Sequence, residues 1–265
     1  GLVSLFMDIS SEMIYPLVPL FLATVLGTTK TTIGIIEGVA ESIASILKVF
    51  SGYLSDKLGR RKLLMGLGYG VSVLSRPVTA LSTTWFHVLT ARFIDRFGKG
   101  IRTAPRDAII ADSAEGNNLG RVFGFHRAMD TVGGVIGPLI AFFVLLMFTN
   151  NFRLVFWLSL IPGVIAVLLI VFFITEKRKT KDELAKLPKI TFKDFNGDFR
   201  HYILVIALFS IGNTSDAFLI LRAENLGVQK EYIPIIYLVF NLVYSISSMP
   251  LGILADKIGM RKMII

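Results

Sequence analysis

The sequence predicts an all-α membrane protein, a bundle of helices that crosses the bilayer repeatedly, and three observations carry that reading. Hydrophobic residues make up 53% of the 265 positions and charged residues only 18%, against about 25% charge in an ordinary soluble domain. The mean hydropathy is +0.67. The apolar residues also collect into long runs separated by short polar turns, and a helix of roughly 20 apolar residues is what the hydrocarbon core requires.

By that measure, spans fall near residues 2–26, 32–54, 63–82, 86–111, 122–147, 153–175, 202–222 and 232–255. The first carries Asp8 and Glu12, four apart and so on one helix face, followed by Tyr15 and Pro16, read as cavity lining and a local bend. The second repeats the spacing with Glu37 and Glu41, with Lys48 further along, and the third contains Arg76. The fourth is a basic stripe of Arg92, Arg96, Lys99, Arg102 and Arg106, with Asp95 and Asp107 among them. In the fifth, His126 and Asp130 share a face beside Arg127. The sixth closes the first group, the seventh holds Asp216, and the eighth runs into a charged turn.

A charged stretch over 176–200 divides a six-helix unit, residues 1–175, from a two-helix remainder, residues 201–265. It reads as a solvated cytoplasmic linker, with a short interfacial helix over Leu184–Phe199 as the alternative.

Taken alone, the net charge of +9 would suit a polyanion. The lysines and arginines, however, sit in the turns 55–62, 113–121, 176–200 and 256–262, while the alternate connections hold little beyond Lys30, Arg153 and Lys230. That asymmetry is the positive-inside pattern. It argues against nucleic-acid binding and places those turns, and the N-terminal side of the chain, in the cytoplasm. The expected location is a cell membrane crossed many times, in keeping with a bacterial inner membrane. Without cysteine there is no disulfide, thiol chemistry or Cys-based metal site. His87, His126 and His201 lack metal-ligand spacing. Phe97–Gly100 lacks the upstream glycine and following Ser/Thr of a phosphate loop. No nucleophile–base arrangement stands out, so neither an enzyme nor a cofactor is expected.

One turn occurs twice. Gly52, Leu54, Asp56, Lys57, Gly59, Arg61 and Lys62 recur 200 positions later as Gly252, Leu254, Asp256, Lys257, Gly259, Arg261 and Lys262. At the same offset Ala23, Leu26, Gly27, Lys30, Ile33 and Ser45 match Ala223, Leu226, Gly227, Lys230, Ile233 and Ser245. Chance similarity between apolar helices does not reproduce such a turn. Duplicated halves of this kind mark secondary transporters. The first six spans then form one half and the last two open the second, with four more expected after Ile265.

The turn has a physical logic: Gly52 permits close helix packing, Gly59 gives the backbone freedom for a sharp reversal, and Arg60, Arg61 and Lys62 anchor it in the cytoplasm. Asp56 can pair with an arginine. Gly52–Lys62 resembles the signature between helices two and three of the major facilitator superfamily, and Gly252–Lys262 its repeat between helices eight and nine. That resemblance implies a gating latch formed by Asp56, Arg60 and Arg61, with Asp112 as the acidic partner. Arg92, followed by Gly98 and Gly100, is similar to the family's helix-four arginine linked to proton coupling, although Asp95, Arg96 and Lys99 depart from that pattern. Gly133, Gly137 and Pro138 resemble the family's antiporter motif, with Ala141 in place of its last glycine. Small-residue packing with a proline kink explains part of that block.

An ionised side chain at mid-bilayer costs about 2.5–3.5 kcal/mol, so such residues line cavities and mark function. Mutual neutralisation of the acids of the first two spans by the fourth accounts for much of this set. The coupling acid is expected among Asp8, Glu12, Glu37 and Glu41, with Arg92 or Arg96 as its switching partner and Asp130 with His126 as second choice. The expected function is secondary active transport of a small organic solute by alternating access, as proton-coupled efflux. The expected partners are the solute, protons and membrane lipid. The alternative is uptake or facilitated transport of an anionic metabolite drawn by the arginines.

Overall fold

The computed structural model describes residues 1–114, 119–149, 151–176, 197–212 and 215–258; for 119–120, 198, 200, 211–212 and 248–258 it describes the backbone alone. Every regular element among the described residues is helical. Helix α1 (Leu2–Ile14) stops where Pro16 offers no N–H, resumes as α2 (Leu17–Leu20), and widens into a π turn over Phe21–Val25. The expected bend at Pro16 is therefore a break in one long segment.

Helix α3 (Lys30–Leu58) starts at Thr29, whose hydroxyl accepts the Thr32 N–H at 3.3 Å. It ends at Gly59, which takes φ +59 and donates its N–H to the Ser55 carbonyl at 3.0 Å. This left-handed closing residue is the ordinary glycine terminator. Next come α4 (Arg61–Ala80), α5 (Trp85–Asp112) and α6 (Leu119–Met147). Asn151, which accepts from the Leu154 N–H at 3.1 Å, opens α7 (Phe152–Leu158), and α8 (Leu160–Phe173) continues it. After residue 196 follow α9 (Gly197–Gly212), α10 (Asp216–Asn225), a 3-10 turn over Lys230–Tyr232 and α11 (Ile233–Ile258).

Helices stand where the spans were expected, with two differences. Helix α3 runs on through its charged turn to Leu58, because no proline interrupts it before Gly59, whereas α5 keeps to its expected span with Pro105 inside it. The seventh span is two helices: Ser215, in extended conformation, caps α10 by accepting the Ala217 N–H at 3.4 Å. Helix α9 also begins inside the stretch read as linker, and nearly all of Leu184–Phe199 lies outside the described residues. Three segments, Leu2–Val25, Arg121–Met147 and Phe152–Phe173, are long and apolar enough to cross a membrane on length and composition alone. The first two of these also carry site charges, Asp8 and Glu12 in one and Arg127 and Asp130 in the other, and α3, α4 and α5 carry the ion-pair ladder.

Glycines decide how closely these helices approach. A Cβ on Gly98 would lie 2.4 Å from the Gly68 carbonyl oxygen, so α4 and α5 touch backbone to backbone. On Gly133 it would meet the Leu5 oxygen at 2.8 Å, and on Gly137 the Ile9 oxygen at 2.8 Å, which seats α6 against α1. Gly52 is less constrained, since its Cβ would sit 3.4 Å from that of Ala104. Between the helices lie two apolar clusters, one around Leu17, Phe21, Ile36 and Phe156 and one around Met7, Tyr69, Val73 and Ile170. Large apolar side chains such as Val49, Leu67, Phe172 and Phe173 face outward, as a lipid-exposed surface requires.

Candidate functional site

The tight α4–α5 and α3–α5 contacts force the basic stripe of α5 inward, against the acids of α3. Arg92 and Glu37 form an ion pair with side chains 8% and 5% exposed. Arg96 Nη2 lies 2.6 Å from Glu41 Oε1. Arg76 of α4 donates from Nη1 to Asp95 Oδ1 at 3.2 Å and from Nε to the Ser10 hydroxyl at 3.1 Å. Charges removed from water need such partners, because an unpaired one costs several kcal/mol. The Tyr15 ring lies 5.4 Å from the Arg92 guanidinium and 5.7 Å from that of Arg96, so its π face gives the pair a further anchor.

Around this ladder is a cavity of about 390 Å³. Asp8, Glu12 and Tyr15 line its α1 side, Arg96, Lys99 and Arg102 its α5 side, and Arg127 and Asp130 its α6 side. Asp216 and Tyr237 contribute from beyond the linker, where Tyr237 stacks near Tyr15 with ring centroids 5.4 Å apart. A smaller cavity of about 170 Å³ adjoins Asp8, Glu12, Asp130, Asn241 and Ser245.

The expected neutralisation is therefore divided. The α3 acids pair with α5, whereas Asp8 and Glu12 have no ion pair within 4 Å among the described residues, and Glu12 Oε2 is buried without a hydrogen-bond partner. Arg102 is stacked 4.3 Å from the Tyr69 ring, with Nη1 unpartnered. His126 Nε2 lies 3.6 Å from Asp130 Oδ2, beyond hydrogen-bond length. The residues Gly133 and Gly137 lie at the α1–α6 contact beside Asp8 and Glu12 rather than in the cavity wall, and Pro138 follows within α6.

At the charged end of the bundle, Arg61 bridges two acids: Nη2 reaches Asp56 Oδ1 at 2.9 Å and Nη1 pairs with Asp112. Burial disfavours its charge, but the two carboxylates outweigh that and hold its pKa above the ordinary arginine value. Arg60 is exposed beside it. Glu176 accepts the backbone N–H groups of Arg61 and of Lys62, the latter at 3.1 Å. In the second copy, Gly252 and Asp256 are described by backbone alone, and Gly259 and Arg261 lie outside the described residues.

Three participants escaped the sequence reading: the Arg76–Asp95 pairing, Glu176 and Tyr237. Only tertiary packing brings Arg76 to Asp95, and Glu176 to the start of α4. Tyr237 had a signal, because at the repeat offset it stands where Glu37 stands, and Asn241 where Glu41 stands.

A family model described as Major Facilitator Superfamily matches residues 1–265. The chain is 36% identical over its whole length to an uncharacterized MFS-type transporter of Methanocaldococcus jannaschii, covering 67% of that protein. It is 26% identical over 189 residues to the quinolone resistance protein NorA of Staphylococcus aureus, covering 69% of this chain and 47% of NorA. Among solved structures, a POT family transporter in complex with 5-aminolevulinic acid aligns with a TM-score of 0.61 at 15% identity, over 88% of this chain and 47% of that one. A proton-dependent oligopeptide transporter aligns at 0.56 and 14% identity, over 97% and 52%. At such identities the structural matches speak for the fold alone. The chain spans about half the length of these structures.

Proposed function

The chain belongs to the major facilitator superfamily, and on that premise we propose that it is part of a secondary active transporter that exports a small organic solute in exchange for protons, by alternating access. Its membership makes it a multi-pass membrane transporter and not an enzyme. The observation that carries the finer reading is the division of charge in the cavity. Arg92 and Arg96 are held by Glu37 and Glu41, while Asp8 and Glu12 face the same space without cationic partners. A carboxylate without a cation in a low-dielectric site binds a proton more readily than a paired one. A conformational change that exchanges partners can therefore load or release protons.

The likeness to a quinolone resistance protein supports export over import. In this reading the Arg61 bridge between Asp56 and Asp112 is the latch of the cytoplasmic side, and the positive turns support a cell-membrane orientation with the N-terminal side of the chain cytoplasmic. The test is solute flux in vesicles holding the full-length protein. Flux should follow an imposed proton gradient and lose that dependence when Asp8, Glu12, Glu37 and Glu41 are neutralised together. Gradient-dependent flux that survives the fourfold change removes the assignment.

A second reading, transport of an anionic metabolite, is favoured by the unpartnered Arg102 Nη1 and by Lys99 at the cavity. Inhibition of flux by anionic solutes, abolished by Arg102→Gln, would support it over cation or neutral-drug export.

A further inference from the structure

Away from the charged cavity, a groove of about 540 Å³ opens on the outer surface between α4 and α8. Its mouth carries Arg60 and Lys62. Its walls are Leu63, Leu67 and Val171, each more than half exposed, with Gly66 between them. We propose that this groove binds an anionic phospholipid, whose phosphate is held by Arg60 and Lys62 and whose acyl chain lies along the leucine wall.

The charge arrangement argues for that occupant. The Arg60 side chain is exposed and makes no ion pair among the described residues. The Lys62 ammonium gives one hydrogen to the Val171 carbonyl at 3.0 Å, which fixes it across the mouth and leaves two for a ligand. Glu176 also borders the groove, but its two oxygens accept the Arg61 and Lys62 backbone N–H groups, so its charge is engaged at the start of α4. Depth argues for a lipid rather than a soluble phosphate. Leu67 lies five residues beyond Lys62, about 7.5 Å along the helix axis, which places apolar wall where acyl chain begins when the basic pair is at headgroup level. Basic pockets at the cytoplasmic ends of spanning helices suit anionic headgroups.

The proposal rests on the membrane reading and on the cytoplasmic placement of the turn, and not on transport, so its failure would leave the flux experiment untouched. The test is native mass spectrometry of the full-length protein, released from nanodiscs containing phosphatidylglycerol or phosphatidylcholine. The wild type should retain phosphatidylglycerol selectively, and glycerol 3-phosphate should not displace it. Each basic residue near the surface accounts for roughly fivefold in affinity, so Arg60→Gln with Lys62→Gln should weaken retention about thirtyfold, and Arg60→Lys with Lys62→Arg should restore it. Gly66→Leu should also abolish retention with the charges intact, since a Cβ there has 3.7 Å to Ile170 and the added bulk fills the groove. Equal retention of phosphatidylcholine, full retention by the Gln variants, or displacement by glycerol 3-phosphate would overturn the proposal.

Discussion

Glu37 on α3 and Glu12 on α1 are the same residue type, yet their surroundings assign them opposite energetic roles. Glu37 is locked to Arg92 beneath the Tyr15 ring. Removing one partner of a buried pair leaves the other uncompensated, typically at about 3–5 kcal/mol. Glu37→Leu should therefore lower stability in detergent by about that amount, and adding Arg92→Met should restore most of the loss, since an apolar pair is a fair replacement for a buried ionic one. Thermal unfolding of the single and double variants checks both. Glu12 keeps a buried oxygen without a partner, so Glu12→Gln should leave thermal stability unchanged or raise it while reducing proton-driven flux. A large loss of stability in that variant would assign Glu12 a structural role instead.

Between elements, the Gly133–Pro138 block shows how one motif serves two readings. The sequence could be read as an antiporter signature or as small-residue packing, and the geometry makes the packing concrete: α1 backbone oxygens lie 2.8 Å from where a Cβ would be on Gly133 or Gly137. Gly134, one residue along, has nothing within 4 Å of that position. Gly137→Leu should therefore force α1 and α6 apart, with the roughly 1–3 kcal/mol or more that overpacking costs, whereas Gly134→Ala should be neutral or slightly stabilising by helix propensity. Comparing the unfolding midpoints of the two variants decides it. The same contact carries Asp8 and Glu12, so α1–α6 packing sets the depth of the unpaired acids. Most of the helices were legible because their apolar runs are long. The new helix start at Ser215 was not, since a serine cap inside an apolar window leaves hydropathy almost unchanged. The α3–α5 pairing was readable as facing stripes of opposite charge. Arg76–Asp95 was not, because Asp95 sits within the basic stripe and only the glycine contact of α4 with α5 brings its partner alongside.

For the whole molecule, the proposed sidedness reaches furthest, because the proposed latch, the linker and the proposed lipid groove all depend on it. Its support is the asymmetry of lysine and arginine across turns and the recurrence of one charged turn, both visible in the sequence. Tyr237 and Asn241, 200 positions after Glu37 and Glu41, border the larger and the smaller cavity respectively, so the proposed duplication keeps repeat-related positions near the charged centre while their chemistry diverges. A chain without cysteine permits a direct test. Lys30 and Lys57 lie near opposite ends of α3 and are both exposed, about 40 Å apart at 1.5 Å per residue, which is the full thickness of a bilayer with its interfaces. In intact cells expressing the full-length protein, a membrane-impermeant maleimide should label Lys30→Cys and leave Lys57→Cys unmodified until the cells are permeabilised. The reverse pattern would invert the bundle and move the Arg61 latch to the outer face. Labelling of both positions in sealed cells would mean that α3 does not span, and the membrane architecture would fail with it.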